Sequence, residues 1–275
     1  MVVKIAIIKI GFIGLTTLID AILDERAARK DIEIRSISSG SKLDIESANS
    51  LSDIYDSYPA DFYILVTPNA TLPGPKSLAL DLSKRKPTML ISDSPGKKII
   101  DELNDNTGCI IVESDPLIAV RKDFLDPVEM INFNSDVLKV LAITGTIRGI
   151  NKILDDVINQ ISNNVQNIKL PTIVLDRFES IKNSGLTNPY AKSKALASFE
   201  LAKRAARISF EANYKEQDRE KYLLLCGTSH ELIRTAAHLA DEAREIEKTN
   251  DTVYRSTHLA DGSTVSKTKL FNSSK

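Results

Sequence analysis

RKDFLDPVEMINFNSDVLKVLAITGTIRGI, residues 121–150, is the stretch around which the rest of the chain can be arranged. Asp126 stands where a cap accepts from the free N–H groups of a first helical turn, and Pro127 fits the first helical position. Glu129 sits where a capping-box carboxylate reaches back to the cap. Beyond them Met130, Phe133, Val137, Val140, Leu141 and Thr144 recur every three or four residues, while Ile131, Leu138 and Ala142 form a second stripe. Apolar residues on more than one face predict burial on more than one side, as in a central helix joining two halves of a molecule. Arg121, Lys122, Asp126 and Glu129 gather at the entrance of that helix, an end that attracts anions and orients charged side chains.

Upstream of this helix the chain alternates. Residues 3–9, 32–37, 61–66, 88–91 and 109–112 are short β-branched or apolar runs. Between them lie helical patterns at 15–29 and 45–55, another after Pro75 and another after Gly96. Such spacing predicts right-handed βαβ units and a parallel sheet, whose ligands bind at the loops leaving the carboxyl ends of the strands. Downstream the pattern is mostly helical. Residues 151–163 are amphipathic, 171–175 read as an isolated strand, and Asn188-Pro189 opens a helix through about residue 210. Thr228 and Glu231 mark a further helix start, followed by Leu232, Ala236, Leu239, Ala243 and Ile246, a narrow seam for packing inside a bundle or between subunits. Runs at 252–258 and 264–271 flank Asp261-Gly262, a hairpin signal. The fold class expected is α/β, with a parallel-sheet ligand-binding domain at 1–120, a helix-bundle region at 121–250 and a small C-terminal β-hairpin segment at 251–275.

Composition narrows the function. Lys plus Arg (36) nearly balance Asp plus Glu (37), so no global field favours nucleic acid or an anionic membrane. No apolar run is long enough to span a bilayer, and the first residues lack a signal-peptide cleavage pattern. Cys109 and Cys226 have no CxxC partner, which predicts reduced structural thiols and a cytoplasmic protein. The three histidines, His230, His238 and His258, form no HExxH pattern, and no metal site is expected. Ser229-His230 lacks the GxSxG elbow of a hydrolase.

The strand-end loops are where chemistry is expected. Lys9-Ile10-Gly11-Phe12-Ile13-Gly14 has two glycines that would let backbone approach a phosphate or a ring, although it is not GxGxxG. The second loop, Ser38-Ser39-Gly40-Ser41-Lys42, has no acidic residue for an adenosine ribose, which weighs against NAD. The third, residues 67–75, carries three prolines and a glycine and is stiff. In the fourth, Asp93 is a short carboxylate aimed toward the same rim. With no acid–base set in view, a reaction that needs alignment more than proton transfer fits best, and hydride transfer between two bound organic partners is one.

Several runs resemble the coenzyme F420-dependent methylenetetrahydromethanopterin dehydrogenases of archaea. They are Leu23-Asp24-Glu25-Arg26-Ala27, residues 124–130 (FLDPVEM), Leu138-Lys139-Val140-Leu141-Ala142, Asn188-Pro189-Tyr190-Ala191, Glu216-Gln217-Asp218, Ser229-His230-Glu231, residues 239–251 (LADEAREIEKTND) and Asp261-Gly262. The likeness covers essentially the whole chain. It implies an oxidoreductase of one-carbon metabolism and methanogenesis that passes a hydride between coenzyme F420, a 5-deazaflavin, and a tetrahydromethanopterin-type substrate. It implies no metal, and a homo-oligomer built as a hexamer, a trimer of dimers. On this resemblance Lys9, Gly11, Gly14, Thr67, Asn69, Gly74, Asp93, Gly96 and Arg121 are expected to bind the cofactor and line the pterin cleft, with Asp126 and Glu129 orienting the substrate. No residue is expected to act as a catalytic acid or base. The loops depart from the family's pattern. Lys-Cys-Gly-Asn-x-Gly becomes Lys9-Ile10-Gly11-Phe12-Ile13-Gly14, and paired glycines become Val66 and Thr67. Ala70 replaces a proline, Gly-Asp-Ala-Pro-Gly becomes Ser92-Asp93-Ser94-Pro95-Gly96, and Arg-Thr-Pro-His becomes Arg255-Ser256-Thr257-His258. Such changes leave two alternatives: a divergent member using another pterin or a nicotinamide carrier, and a non-catalytic binding protein on the same scaffold.

Overall fold

The apolar runs of the first 115 residues become parallel strands in the computed structural model, which describes residues 1–273: β1 (Val3–Lys9), β2 (Ile32–Ser38), β3 (Phe62–Thr67), β4 (Thr88–Asp93) and β5 (Thr107–Val112). A sixth, β6 (Thr172–Leu175), pairs in parallel with β5, Cys109 opposite Thr172 and Val112 opposite Leu175. The run expected as an isolated strand is therefore the edge of the main sheet, whose order is β2-β1-β3-β4-β5-β6. An open β5 edge offers unpaired N–H and C=O groups, and β6 satisfies them.

Alternation decides which face each strand residue serves. Val3, Ile5, Ile7, Phe62, Ile64, Ile110 and Val112 point to one face, and Ala6, Ile8, Tyr63, Leu65, Cys109 and Ile111 to the other. Helices α2 (Ile45–Asp56) and α3 (Pro73–Arg85) cover the second face through Leu51, Tyr55, Leu78 and Leu82. The first face is covered by α1 (Ile19–Leu23), α4 (Pro127–Ile143) and α5 (Thr146–Ser162). The helix expected over 15–29 is shorter than its pattern: a 3-10 turn at Gly14–Thr17 precedes α1, and the Asp24 carboxylate accepts from the amides of Ala28 and Arg29. That local bond offers the backbone an alternative to the helix.

Three further helices, α6 (Arg177–Asn183), α7 (Pro189–Tyr214) and α8 (Arg219–Thr249), complete the chain's helical part, and β7 (Arg255–His258) and β8 (Thr264–Lys267) form the expected antiparallel hairpin. Helix α8 runs without a break through Thr228. Its cap is Asp218, which accepts from Lys221 N, while the Thr228 hydroxyl donates to Leu224 O inside the helix. The start expected at Thr228 is thus a mid-helix position, and Glu231 caps nothing there. The small-residue seam lies inside the bundle, with Ala236 and Ala243 fully buried. Ala202 and Ala205 of α7 and Ile233, Ala236 and Ala237 of α8 share one core with the sheet through α4. Only one stripe of α4 enters that core: Phe133, Val137, Val140 and Leu141 are buried, whereas Ile131 is 60% and Val128 63% exposed.

Candidate functional site

Parallel register brings the carboxyl ends of the strands to one rim. Lys9 ends β1, Thr67 ends β3 opposite Ser92, and Asp93 ends β4 opposite Val112, the residue before Glu113. The helices after β1 and β3 lie on opposite faces, so the sheet has its switch point between these two strands, where crevices open in folds of this kind. The loops that meet there touch each other. Gly11 has φ +75°, a conformation that favours glycine, and a Cβ on it would collide with Leu43 and lie 3.0 Å from Pro68. Gly14, Gly74 and Gly96 are packed from within as well: their added Cβ atoms would meet Val137 and Asp115, the backbone oxygens of Leu43 and Asp44, and the Ser92 hydroxyl, respectively. Close packing within the chain therefore accounts for these glycines.

The polar residues of the rim are held in specific tasks. Lys9 Nζ lies 2.8 Å from Asp20. Asn69 Oδ1 accepts from Thr71 N and Oγ1 at 3.0 and 2.6 Å and stiffens the third loop. Asp93 is 5% exposed and caps the 3-10 run Ser94–Glu102 by accepting from Ser94 N. Burial pushes its carboxyl well above the ordinary range, against that bond, and the neighbouring Asp115 and Glu113 add repulsion. Asp115, fully buried, accepts from the amides of Gly14 and Leu15, both at 2.9 Å. These are the N–H groups that a phosphate-binding loop would offer its ligand, and here the chain's own carboxylate occupies them. The hydroxyl of Thr67 is buried with no hydrogen-bond partner among the described residues.

Arg121, Asp126 and Glu129 form a second group. Val137 touches Gly14 at the rim, and Glu129 lies eight residues earlier on α4, about 12 Å away at 1.5 Å of rise per residue. Asp126 accepts from Glu129 N at 2.8 Å, as a cap should. Arg121 donates to the carbonyls of Ala212 and Glu216 and stacks 4.5 Å over the Tyr222 ring, tying the lead-in loop to the end of α7. The Glu129 carboxylate lies 3.4 Å from Nδ1 of His230 on α8. His230 sits between the rings of Phe124 and Phe133, at 4.7 and 4.6 Å, and its Nε2 is buried without a partner among the described residues. Burial pulls its pKa below the usual histidine value, with Glu129 opposing. The structure thus gathers the eight rim residues and sets the three helix-entrance residues apart from them. Among the described residues no group of three metal-ligating side chains occurs, and no helix is long and apolar enough to cross a membrane.

A family model described as methylene-5,6,7,8-tetrahydromethanopterin dehydrogenase matches residues 3–275. The chain belongs to that family. It is 45% identical over 271 residues to the F420-dependent methylenetetrahydromethanopterin dehydrogenase of Archaeoglobus fulgidus, and 43% identical over 273 residues to that of Methanococcus aeolicus, covering 98% of each pair of chains. A solved F420-dependent methylene-tetrahydromethanopterin dehydrogenase, in complex with methylene-tetrahydromethanopterin and coenzyme F420, matches with a TM-score of 0.95 and 38% identity over 100% of both chains.

As a member of the methylene-tetrahydromethanopterin dehydrogenase family, the chain keeps its altered loops compact. Val66, where the resemblance leads one to expect glycine, is fully buried in the core of the α4 face, so its bulk is spent on packing. Ala70 is likewise buried, its N–H donating to the Ser92 hydroxyl at 3.2 Å. Sequence reasoning missed the fifth strand end. Glu113, Ser114 and Asp115 are all buried there, and two acids directly after an apolar strand were a readable signal. It also missed Lys97, Lys203, Phe124 and Phe133 as neighbours of charged or polar site residues; no local pattern marks them.

Proposed function

We propose that this chain transfers a hydride between coenzyme F420 and methylene-tetrahydromethanopterin at the strand-end rim, under the cover of α4, α7 and α8. Its full-length likeness in fold to a dehydrogenase solved with both molecules carries the reading. The residues present fit such a site. Two buried polar atoms without partners among the described residues, Thr67 Oγ1 at the switch point and His230 Nε2 beside α4, are what a polar ligand would satisfy. Coenzyme F420, a 5-deazaflavin, supplies a two-electron carrier that takes up a hydride and a proton as the methylene bridge becomes a methenyl bridge. The chain's own work is alignment. Lys9, Thr67, Asn69 and Asp93 form the rim that seats the cofactor, and Gly11, Gly14, Gly74 and Gly96 let its loops pack together. Arg121 fixes the lead-in to α4, and the Asp126 cap sets the direction in which Glu129 meets the paired donors of a pterin ring.

We also read the protein as a cytoplasmic homo-oligomer, a hexamer built as a trimer of dimers. Such an assembly would cover exposed Val128 and Ile131 on α4 and Leu224 on α8, 72% exposed. Titration with F420, NAD and NADP, followed by deazaflavin and nicotinamide fluorescence, tests the cofactor. F420 should bind in the micromolar range or tighter, and a nicotinamide that binds while F420 does not would overturn the assignment.

A further inference from the structure

Glu113 follows β5 at the rim, and its side chain is 7% exposed. One carboxylate oxygen lies 2.5 Å from Lys97 Nζ, on the turn after β4, and the other lies 2.6 Å from Lys203 Nζ, on α7. Burial works to raise its pKa, but the two ammonium groups hold it below the usual glutamate value. A carboxylate removed from water and shared by two cations depends on both for its neutralisation. The two lysines belong to different bodies, the sheet's loop layer and the helix bundle. Two residues further on, Asp115 holds the first loop by its two amides, and Ser114 Oγ lies 3.4 Å from Thr146 Oγ1 at the start of α5. One short span after β5 therefore ties the first loop, the fourth loop, α5 and α7 together.

We propose that Glu113 is a positioning residue for the hydride transfer, a bolt between Lys97 and Lys203 that sets the spacing of sheet rim and bundle across the site; the proposal rests on the functional reading above. Hydride transfer between two bound partners depends on their separation and angle, and small misplacements cost rate steeply. Glutamine at this position keeps the shape but cannot hold both ammonium groups, and the lysines then repel each other. Loss of the bolt should leave each ligand its own contacts while spoiling their alignment.

The test compares Glu113→Gln, Lys203→Met, the double variant and Lys203→Arg in the full-length protein. Glu113→Gln and Lys203→Met should each lower kcat tenfold or more while KM for either substrate changes less than threefold. The double variant should be no worse than the poorer single one, because both remove the same tie, and Lys203→Arg should recover most of the rate. In the free protein, amide hydrogen exchange should rise together in residues 94–102 and in α7 around Lys203 in both single variants. Unchanged kcat in an active Glu113→Gln protein, or losses that add in the double variant, would overturn the bolt and leave the functional reading standing. A wild-type protein without F420-dependent turnover would overturn the functional reading instead. Unchanged exchange in both single variants would overturn the tie whatever the turnover.

Discussion

Asp115 satisfies two backbone amides with one carboxylate, and burial pushes its pKa up to about 6 even so. Asparagine there can accept from one amide only and presents an NH2 group to the other. Asp115→Asn should therefore destabilise the first loop by about 1–3 kcal/mol, the cost of a buried donor left without a partner. A thermal melt a few degrees lower, with amide exchange faster at Gly14 and Leu15, is the expected result; an unchanged melt would mean that the bonds contribute little. Glu129 poses a different question, because its amide serves the cap while its carboxylate faces His230. If the charge orients the substrate, Glu129→Gln should keep the melt and lower turnover roughly tenfold, about 1.4 kcal/mol in the barrier. Equal turnover in a normally folded variant would reduce Glu129 to a partner of His230. The cap at Asp126 was legible because Asp-Pro-x-Glu is a local pattern, whereas the partner of Glu129 was not. His230 lies 101 positions away (230 minus 129), and nothing near it in the sequence names its neighbour.

At the level of elements, strands and long helices followed from periodicity, and their errors have physical causes. Thr228-Ser229-His230-Glu231 imitates a helix start, yet the Asp218 cap had already begun α8, and a hydroxyl inside a helix can bond back one turn. The pattern at 15–29 is helical in period but is cut short by the Asp24 carboxylate bonding to the amides of Ala28 and Arg29, with Ala27 at φ +52°. The hairpin was legible from Asp-Gly, but its anchorage was not. His258 is 5% exposed, with Nδ1 2.8 Å from Glu25 and Nε2 2.9 Å from Asp155, while Arg29 joins Asp155 and Asp31 and Arg26 donates to the His258 carbonyl. The bond to Asp155 raises the His258 pKa against burial, and Glu25 adds to the effect. Burial works to raise Glu25, but bonds from Thr257 and His258 outweigh it and hold it at about 2. The histidine's contribution is complete below about pH 6.5 and fades as pH rises through its raised value; the glutamate's is complete above about pH 4.5 and fades as pH falls toward its lowered one. The hairpin should therefore be tightest between roughly pH 4.5 and 6.5. Limited proteolysis of residues 255–267 should be faster at pH 9 than at pH 6, and His258→Phe should abolish the difference. Equal cleavage at both pH values in the wild type would count against the anchorage.

Across the whole molecule the division of the chain at about residue 120 does not coincide with a division of the core. Helices α4 and α5 cover one face of the sheet, and β6 closes its edge from the second half of the chain. The sequence shows the two compositions plainly, one alternating and one helical, but a four-residue strand among helices carries too little pattern to announce its partner. Light scattering at low concentration tests the assembly: a species several times the 30.3 kDa chain is expected, and a persistent monomer would leave Val128, Ile131 and Leu224 without the role given them. The late arrival of β6 also matters while the protein is being made. A ribosome adding roughly 5–20 residues per second leaves the β5 edge unpaired for several seconds before β6 emerges. Nascent chains stalled between Val112 and Thr172 should be sticky and dependent on chaperones, and release from that hazard comes abruptly, when four residues of strand leave the exit tunnel.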